Sequence, residues 1–214
     1  LTPRAHVLEV ASGSGGPSLY LARKFKCQIT GIDINAHGVE TANKAAQSAE
    51  AVNASYQIAD VEKHLPFEDE SFDAVMCMDS INHFHDRLAV LREWHRVLRP
   101  GGRVVFTDPV VITGPVSNKE LSERSSIGFF VFIPVGWTAN YLKQAGFHLI
   151  KREDATANIE LTSSRWYAAR EQQREALLKI EGAERFDGLQ KFAGTVHKLA
   201  LERRLSRIVF LAGK

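Results

Sequence analysis

Short apolar runs rich in β-branched residues alternate with helical patterns along most of this 214-residue chain. That alternation constrains the fold more than any other feature. Strands joined through helices cross over to lie parallel, so both faces of the resulting sheet are covered by helices. Residues 6–11, 28–34, 55–59, 74–78 and 103–107 read as five strands, with helices at 18–24, 36–50 and 87–98 between them. The last of these helices turns Leu88, Leu91, Val97 and Leu98 toward the sheet and stops at Pro100-Gly101-Gly102. A further helix at 138–145 ends at Gly146, and 147–152 and 206–212 supply two more strands. Residues 160–204 carry two successive helical patterns, the second with Phe186, Leu189, Phe192, Val196 and Leu199 on one face, and read as a helical insert before the last strand. No repeat, low-complexity tract or linker divides the chain, so residues 1–214 read as one domain.

Charge and cysteine content exclude several classes of partner. Lys plus Arg 27 against Asp plus Glu 25 leaves +2, too balanced to predict a nucleic acid or an anionic membrane surface. Cys27 and Cys77 each sit in an apolar run, which argues against a disulfide framework and suits a reducing cytoplasm. No apolar run approaches the ~18 residues of a membrane span. The chain opens on Leu1 and enters a strand pattern almost at once without a signal-peptide pattern, so a natural segment in front of it is expected.

The strongest chemical signal is Val7-Leu8-Glu9-Val10-Ala11-Ser12-Gly13-Ser14-Gly15-Gly16-Pro17, a strand running through small residues into a helix. Glycines remove the Cβ atoms that would block a ligand, and the helix points unpaired N–H groups at the carboxyl ends of the strands. Asp33 follows Gly15 by eighteen residues and ends the second strand as Gly31-Ile32-Asp33. A carboxylate there can accept from both hydroxyls of a ribose, which points to nucleoside binding. This pair of features is shared by NAD enzymes and S-adenosylmethionine enzymes. The plain alternative is a tight turn with a surface Asp capping the next helix.

Three later landmarks separate them. Asp60 follows the third strand as Ala59-Asp60-Val61, Phe72-Asp73-Ala74-Val75 opens the fourth, and Leu98-Arg99-Pro100-Gly101-Gly102 precedes the fifth. With these the chain resembles the class I S-adenosylmethionine-dependent methyltransferases from His6 to about Phe147. The resemblance implies a Rossmann-like, doubly wound seven-stranded sheet in the order 3-2-1-4-5-7-6 with the seventh strand antiparallel, within a single methyltransferase domain. It implies S-adenosylmethionine as cofactor: Glu9, Gly13 and Gly15 facing its methionine part, Asp33 the ribose, Ile34 one adenine face, and Asp60 with Val61 the adenine edge. One landmark departs, because Ala11 stands where the family's first loop glycine belongs. An NAD-dependent oxidoreductase would explain the glycine loop and Asp33 but not Asp60 or the Pro-Gly-Gly turn.

Asp79-Ser80-Ile81-Asn82-His83 ends the fourth strand with an Asp-x-x-x-His spacing that resembles the phosphoethanolamine, sarcosine/dimethylglycine and tocopherol methyltransferase subgroup. The resemblance implies His83 as catalytic base and Asp79 as its acidic neighbour or an anchor for an acceptor amine. An imidazole fits, since its ordinary pKa of ~6.5 leaves it partly neutral at physiological pH. The other reading of His83 is a cap over the cofactor pocket or the next helix. His83 and His85 lack a third metal ligand, and Pro109 follows Asp108 where magnesium-dependent relatives carry Asn, so no catalytic metal is expected. The stretch from Val110 to Trp137 holds Phe129, Phe130 and Phe132, which can line an apolar acceptor pocket or pack under a loop. Pro109, Gly128 and Phe130 stand where phosphate ligands would be expected, which argues against phosphoethanolamine, and Arg165, Arg170 or Arg203 could hold an acidic acceptor. A small-molecule acceptor follows, with an amine nitrogen slightly favoured over oxygen or carbon of a lipophilic phenol. In this subgroup a preceding helical segment closes over the cofactor; the chain starts at the first strand without those capping helices, so a binding module without transfer activity is the alternative from a non-enzyme class.

Overall fold

The apolar run that opens the chain becomes a strand buried from both sides, which is what a parallel sheet between two helical layers requires. The computed structural model describes residues 1–49, 51 and 53–214. In it β1 (His6–Val10) has Val7, Leu8 and Val10 all buried, and pairs in parallel with β2 (Gln28–Asp33) and with β4 (Phe72–Cys77). β3 (Ala54–Ile58) adds outside β2, and β5 (Leu98–Ile112) pairs in parallel with β4. Helices α1 (Gly16–Phe25), α2 (Ala36–Ser48) and α3 (Arg87–Val97) make the crossovers. Glu50, the expected end of the second helix, lies outside the described residues.

The remaining elements are α4 (Asn118–Arg124), β6 (Ile133–Pro134), α5 (Trp137–Gln144), β7 (His148–Asp154), α6 (Thr156–Gln172), α7 (Arg174–Glu181), α8 (Ala183–Leu201) and β8 (Leu205–Gly213). The strand order is β3-β2-β1-β4-β5-β8-β7, with the two-residue β6 paired to the end of β5. β8 runs against its neighbours: Gly102 meets Lys214 while Thr113 meets Arg204, and Ala155 meets Arg207 while Gly213 lies against His148. The expected order and the antiparallel penultimate strand are therefore present, with β6 as an eighth strand. The insert differs from its expectation. It begins at Thr156 and holds three helices, because the chain breaks at Gln173 and again at Gly182, whose φ of 78° is open to glycine without strain.

By contacts the chain divides into two compact units, one of Leu1–Thr107, Trp137–Arg152 and Phe210–Lys214, the other of Asp108–Gly136 and Glu153–Val209. In the first, Trp94 packs edge-on against Phe84 and Phe106, and Phe106 stacks on Phe210. In the second, α8 buries Phe186, Phe192, Val196 and Leu199, the face its sequence pattern predicts apart from Leu189. No described helix is long and apolar enough to cross a membrane.

Candidate functional site

At the carboxyl ends of β2, β3 and β4 the first unit has a cavity of about 310 Å³, lined by Ala11, Asp33, Ile34, Asp60, Val61, Glu62, Ser80, His83 and Phe84. Five sequence-predicted site residues meet there: Asp33, Ile34, Asp60, Val61 and His83. Glu9, Gly13, Gly15 and Asp79 do not line it. A larger cavity of about 950 Å³ lies on a face of the sheet beside Val7, Met76 and Val105 and contains none of the predicted site residues.

Asp33 has two tasks. Its Oδ2 accepts the Gly13 N–H at 2.7 Å and its Oδ1 the Asn35 N–H at 2.8 Å, so the carboxylate ties the glycine-rich loop to the end of β2. Each oxygen keeps a second lone pair for a ligand hydroxyl. Beside it Ile34 is 70% exposed, an apolar surface left unpacked next to two carboxylates. Asp60 turns the chain after β3, accepting the Glu62 N–H at 3.0 Å, while Val61 is buried.

The loop is supported from below. Gly13 and Gly15 both have positive φ, and Gly15 is the N-cap of α1, whose first turn donates the Ser18 N–H to the Glu9 carboxylate. Tyr56, on β3, is buried with its hydroxyl 3.2 Å from the Gly15 carbonyl and 2.9 Å from Ser18 Oγ. Glu9 is only 2% exposed, and burial pushes its carboxyl up to about 7 against the opposing hydrogen bonds from Ser18. Its Oε2 has no partner among the described residues. A buried acid with one oxygen unsatisfied fits a ligand that brings positive charge.

Beyond β4, Asp79 has a φ of 54° and its Oδ1 accepts the Thr107 hydroxyl at 2.7 Å. A 3-10 turn, Ile81–His83, then sets His83 exposed at the cavity. Glu62 joins the two loops: its carboxylate accepts the His85 N–H at 2.5 Å and lies 2.9 Å from His85 Nδ1. These hydrogen bonds and the nearby imidazole pull the Glu62 carboxyl below its ordinary range despite partial desolvation. Sequence reasoning missed Glu62, Tyr56, Ser80 and Phe84. Only Tyr56 left a signal, the glycine at position 31 inside a strand, which marks a close approach. Among the described residues no group of three or more His, Cys, Asp or Glu side chains could hold a metal ion.

Residues 8–106 match the family model described as a methyltransferase domain. Over 212 residues the chain is 30% identical to the (+)-O-methylkolavelool synthase of Herpetosiphon aurantiacus, covering 94% of this chain and 71% of that protein. The chain belongs to the methyltransferase family. A second relative, the 27-O-demethylrifamycin SV methyltransferase of Amycolatopsis mediterranei, is 31% identical over 191 residues, which are 87% of this chain and 64%, under two thirds, of that one. Phosphoethanolamine N-methyltransferase 2 of Haemonchus contortus, solved with phosphomonomethylethanolamine and S-adenosylhomocysteine, shares the fold at a TM-score of 0.88 with 23% identity, covering all of this chain and 49% of that one.

In this methyltransferase-family chain the departure at Ala11 acquires a physical meaning. Ala11 has a φ of 54°, the left-handed conformation that a glycine adopts freely. The loop keeps its backbone shape and carries a strain of about 1–2 kcal/mol for the extra Cβ.

Proposed function

We propose that the protein is an S-adenosylmethionine-dependent methyltransferase acting on a small molecule. The observation that carries this reading is one cavity lined by Asp33, Ile34, Asp60 and Val61 from the ends of β2 and β3, with His83 from the turn after β4. Asp33 would receive the ribose hydroxyls, Ile34 an adenine face, Asp60 and the Val61 N–H the adenine edge, and the glycine-rich loop with Glu9 the methionine part. When bound, the cofactor supplies an electrophilic methyl carbon on its sulfonium. The chain's own part is alignment, worth several kcal/mol of barrier for two held reactants, and removal of the acceptor's proton. His83 is exposed at the cavity and is our assigned base.

A hydroxyl on an apolar molecule is the acceptor we favour. Asp79 is engaged by the Thr107 hydroxyl and does not line the cavity, which weakens its use as an anchor for a cationic amine. The two relatives above are both named for O-methyl products or substrates. An amine acceptor is the second reading, supported by the spacing of Asp79 and His83. Buried, reduced Cys27 and Cys77 support a cytoplasmic setting.

Labelled methyl donor, a panel of apolar alcohols, phenols and amines, and EDTA throughout test the reading. Transfer to a hydroxyl is expected, and His83→Ala should lower kcat by ~10²–10⁴ while S-adenosylhomocysteine affinity stays within about twofold. Near-normal kcat with weakened cofactor binding would make His83 a pocket cap instead, and turnover restored only by magnesium would refute the metal-free reading.

A further inference from the structure

A glycine inside a strand weakens it unless something occupies the space of the missing side chain. Gly31, within β2, is such a glycine: a Cβ there would stand inside the Tyr56 ring. Gly15 meets the same ring, since its Cβ would come to 2.7 Å from Tyr56 Cζ. Two glycines of neighbouring segments thus leave room for one aromatic residue, which β3 delivers from the far side of β2. Tyr56 is 5% exposed and Ser18 fully buried, so both hydroxyls are shielded from bulk solvent.

The polar end of the ring is what a simple packing role would not need. The Tyr56 hydroxyl donates to the Gly15 carbonyl at 3.2 Å and contacts Ser18 Oγ at 2.9 Å, and Ser18 Oγ lies 3.3 Å from the same carbonyl. Gly15 is in the left-handed region at φ 75° and is the N-cap residue of α1. Its orientation is therefore held from beneath by the Tyr56 hydroxyl, while Asp33 holds the Gly13 N–H from the cavity side.

We propose that Tyr56 is a positioning residue for cofactor binding, its hydroxyl fixing the Gly15 end of the glycine-rich loop in the shape that receives the methionine part of S-adenosylmethionine. The inference rests on the cofactor reading above. Tyr56 itself touches no ligand; it acts through the Gly15 carbonyl. The adenosine part would be held by Asp33, Ile34, Asp60 and Val61, whereas the hydroxyl's partners are Gly15 and Ser18, so the two halves of the cofactor should respond differently to its loss.

Tyr56→Phe keeps the ring in its place between Gly15 and Gly31 and deletes only the hydroxyl. Calorimetric titration of the native chain and the variant, with far-UV circular dichroism to verify the fold, is done with S-adenosylhomocysteine and, by competition, with adenosine. The expected result is an affinity for S-adenosylhomocysteine weakened about five- to tenfold, the scale of one buried hydrogen bond, with adenosine changed less than twofold. A change below twofold for S-adenosylhomocysteine would overturn the inference, and so would an equal loss for both ligands, which marks general loosening. A native chain that binds neither ligand would overturn the cofactor reading and the inference with it.

Discussion

Glu9 is the residue whose protonation most directly couples the site to the stability of the fold. Its carboxyl is pushed up to about 7 in the folded chain from an ordinary value near 4.5, chiefly by burial. A raised carboxyl contributes stability that is fully present below the unfolded value and is lost as pH rises through the folded one. Glu9→Gln removes that contribution. The native chain should therefore lose about 2–4 kcal/mol relative to the variant between pH 4.5 and 8, measured as the difference between their urea unfolding free energies. His6 and His95, whose imidazoles burial holds below the ordinary value, act in the opposite sense as pH falls, but equally in both proteins. A difference that stays flat across this range would show that Glu9 is not buried as its neighbours indicate. At this scale what the sequence conveyed was position: Asp33, Asp60 and His83 stand at or beyond the carboxyl ends of β2, β3 and β4, and all three line the cavity. Glu62 was not legible, because its partner His85 lies 23 residues away, and Tyr56 left only the strand glycine at position 31, nothing that encodes its contact with Gly15 41 residues away.

Elements were legible where periodicity and stop signals agreed. The strands and helices of the first half appear within about two residues of their expected bounds except β5, which already starts at Leu98 and runs to Ile112, so that α3 ends at Val97 and Pro100-Gly101-Gly102 falls in an irregular stretch inside the strand, with Gly101 at a φ of 78°. The seven-residue α4 passed unnoticed although its start is written in the chain: Ser117 and Glu120 form a reciprocal capping box. A helix that short has no apolar periodicity to accompany its cap. β6 has only two residues, too few for any pattern. Asn35 offers a test of local encoding beside the site, because its side chain accepts the His37 and Gly38 N–H groups at the start of α2. Asn35→Ala should cost about 1 kcal/mol in urea unfolding and Asn35→Asp almost nothing. Equal loss in both variants would mean that the cap is not what Asn35 contributes.

The whole chain shows how topology assembles a site that no single segment contains. Parallel pairing of β1 with β2 and β4, and of β2 with β3, brings four strand ends together, so that residues as far apart in the chain as Ala11 and Phe84, with Asp33 and His83 between them, line one cavity. The sheet order was legible because the family resemblance rests on landmarks at each of those ends. The division near Asp108 was not, since β5 continues as one strand through Asp108 and Pro109 to Ile112. The central claim, that this cavity is a nucleoside-cofactor site anchored on Asp33, has one direct test in calorimetric titration of S-adenosylhomocysteine into the native chain and Asp33→Ala. The native chain should bind, with an affinity about 10- to 100-fold weaker in the variant, which loses ligand hydrogen bonds and the tether to Gly13 together. Unchanged affinity in Asp33→Ala, or a native chain that prefers NAD, would contradict that claim.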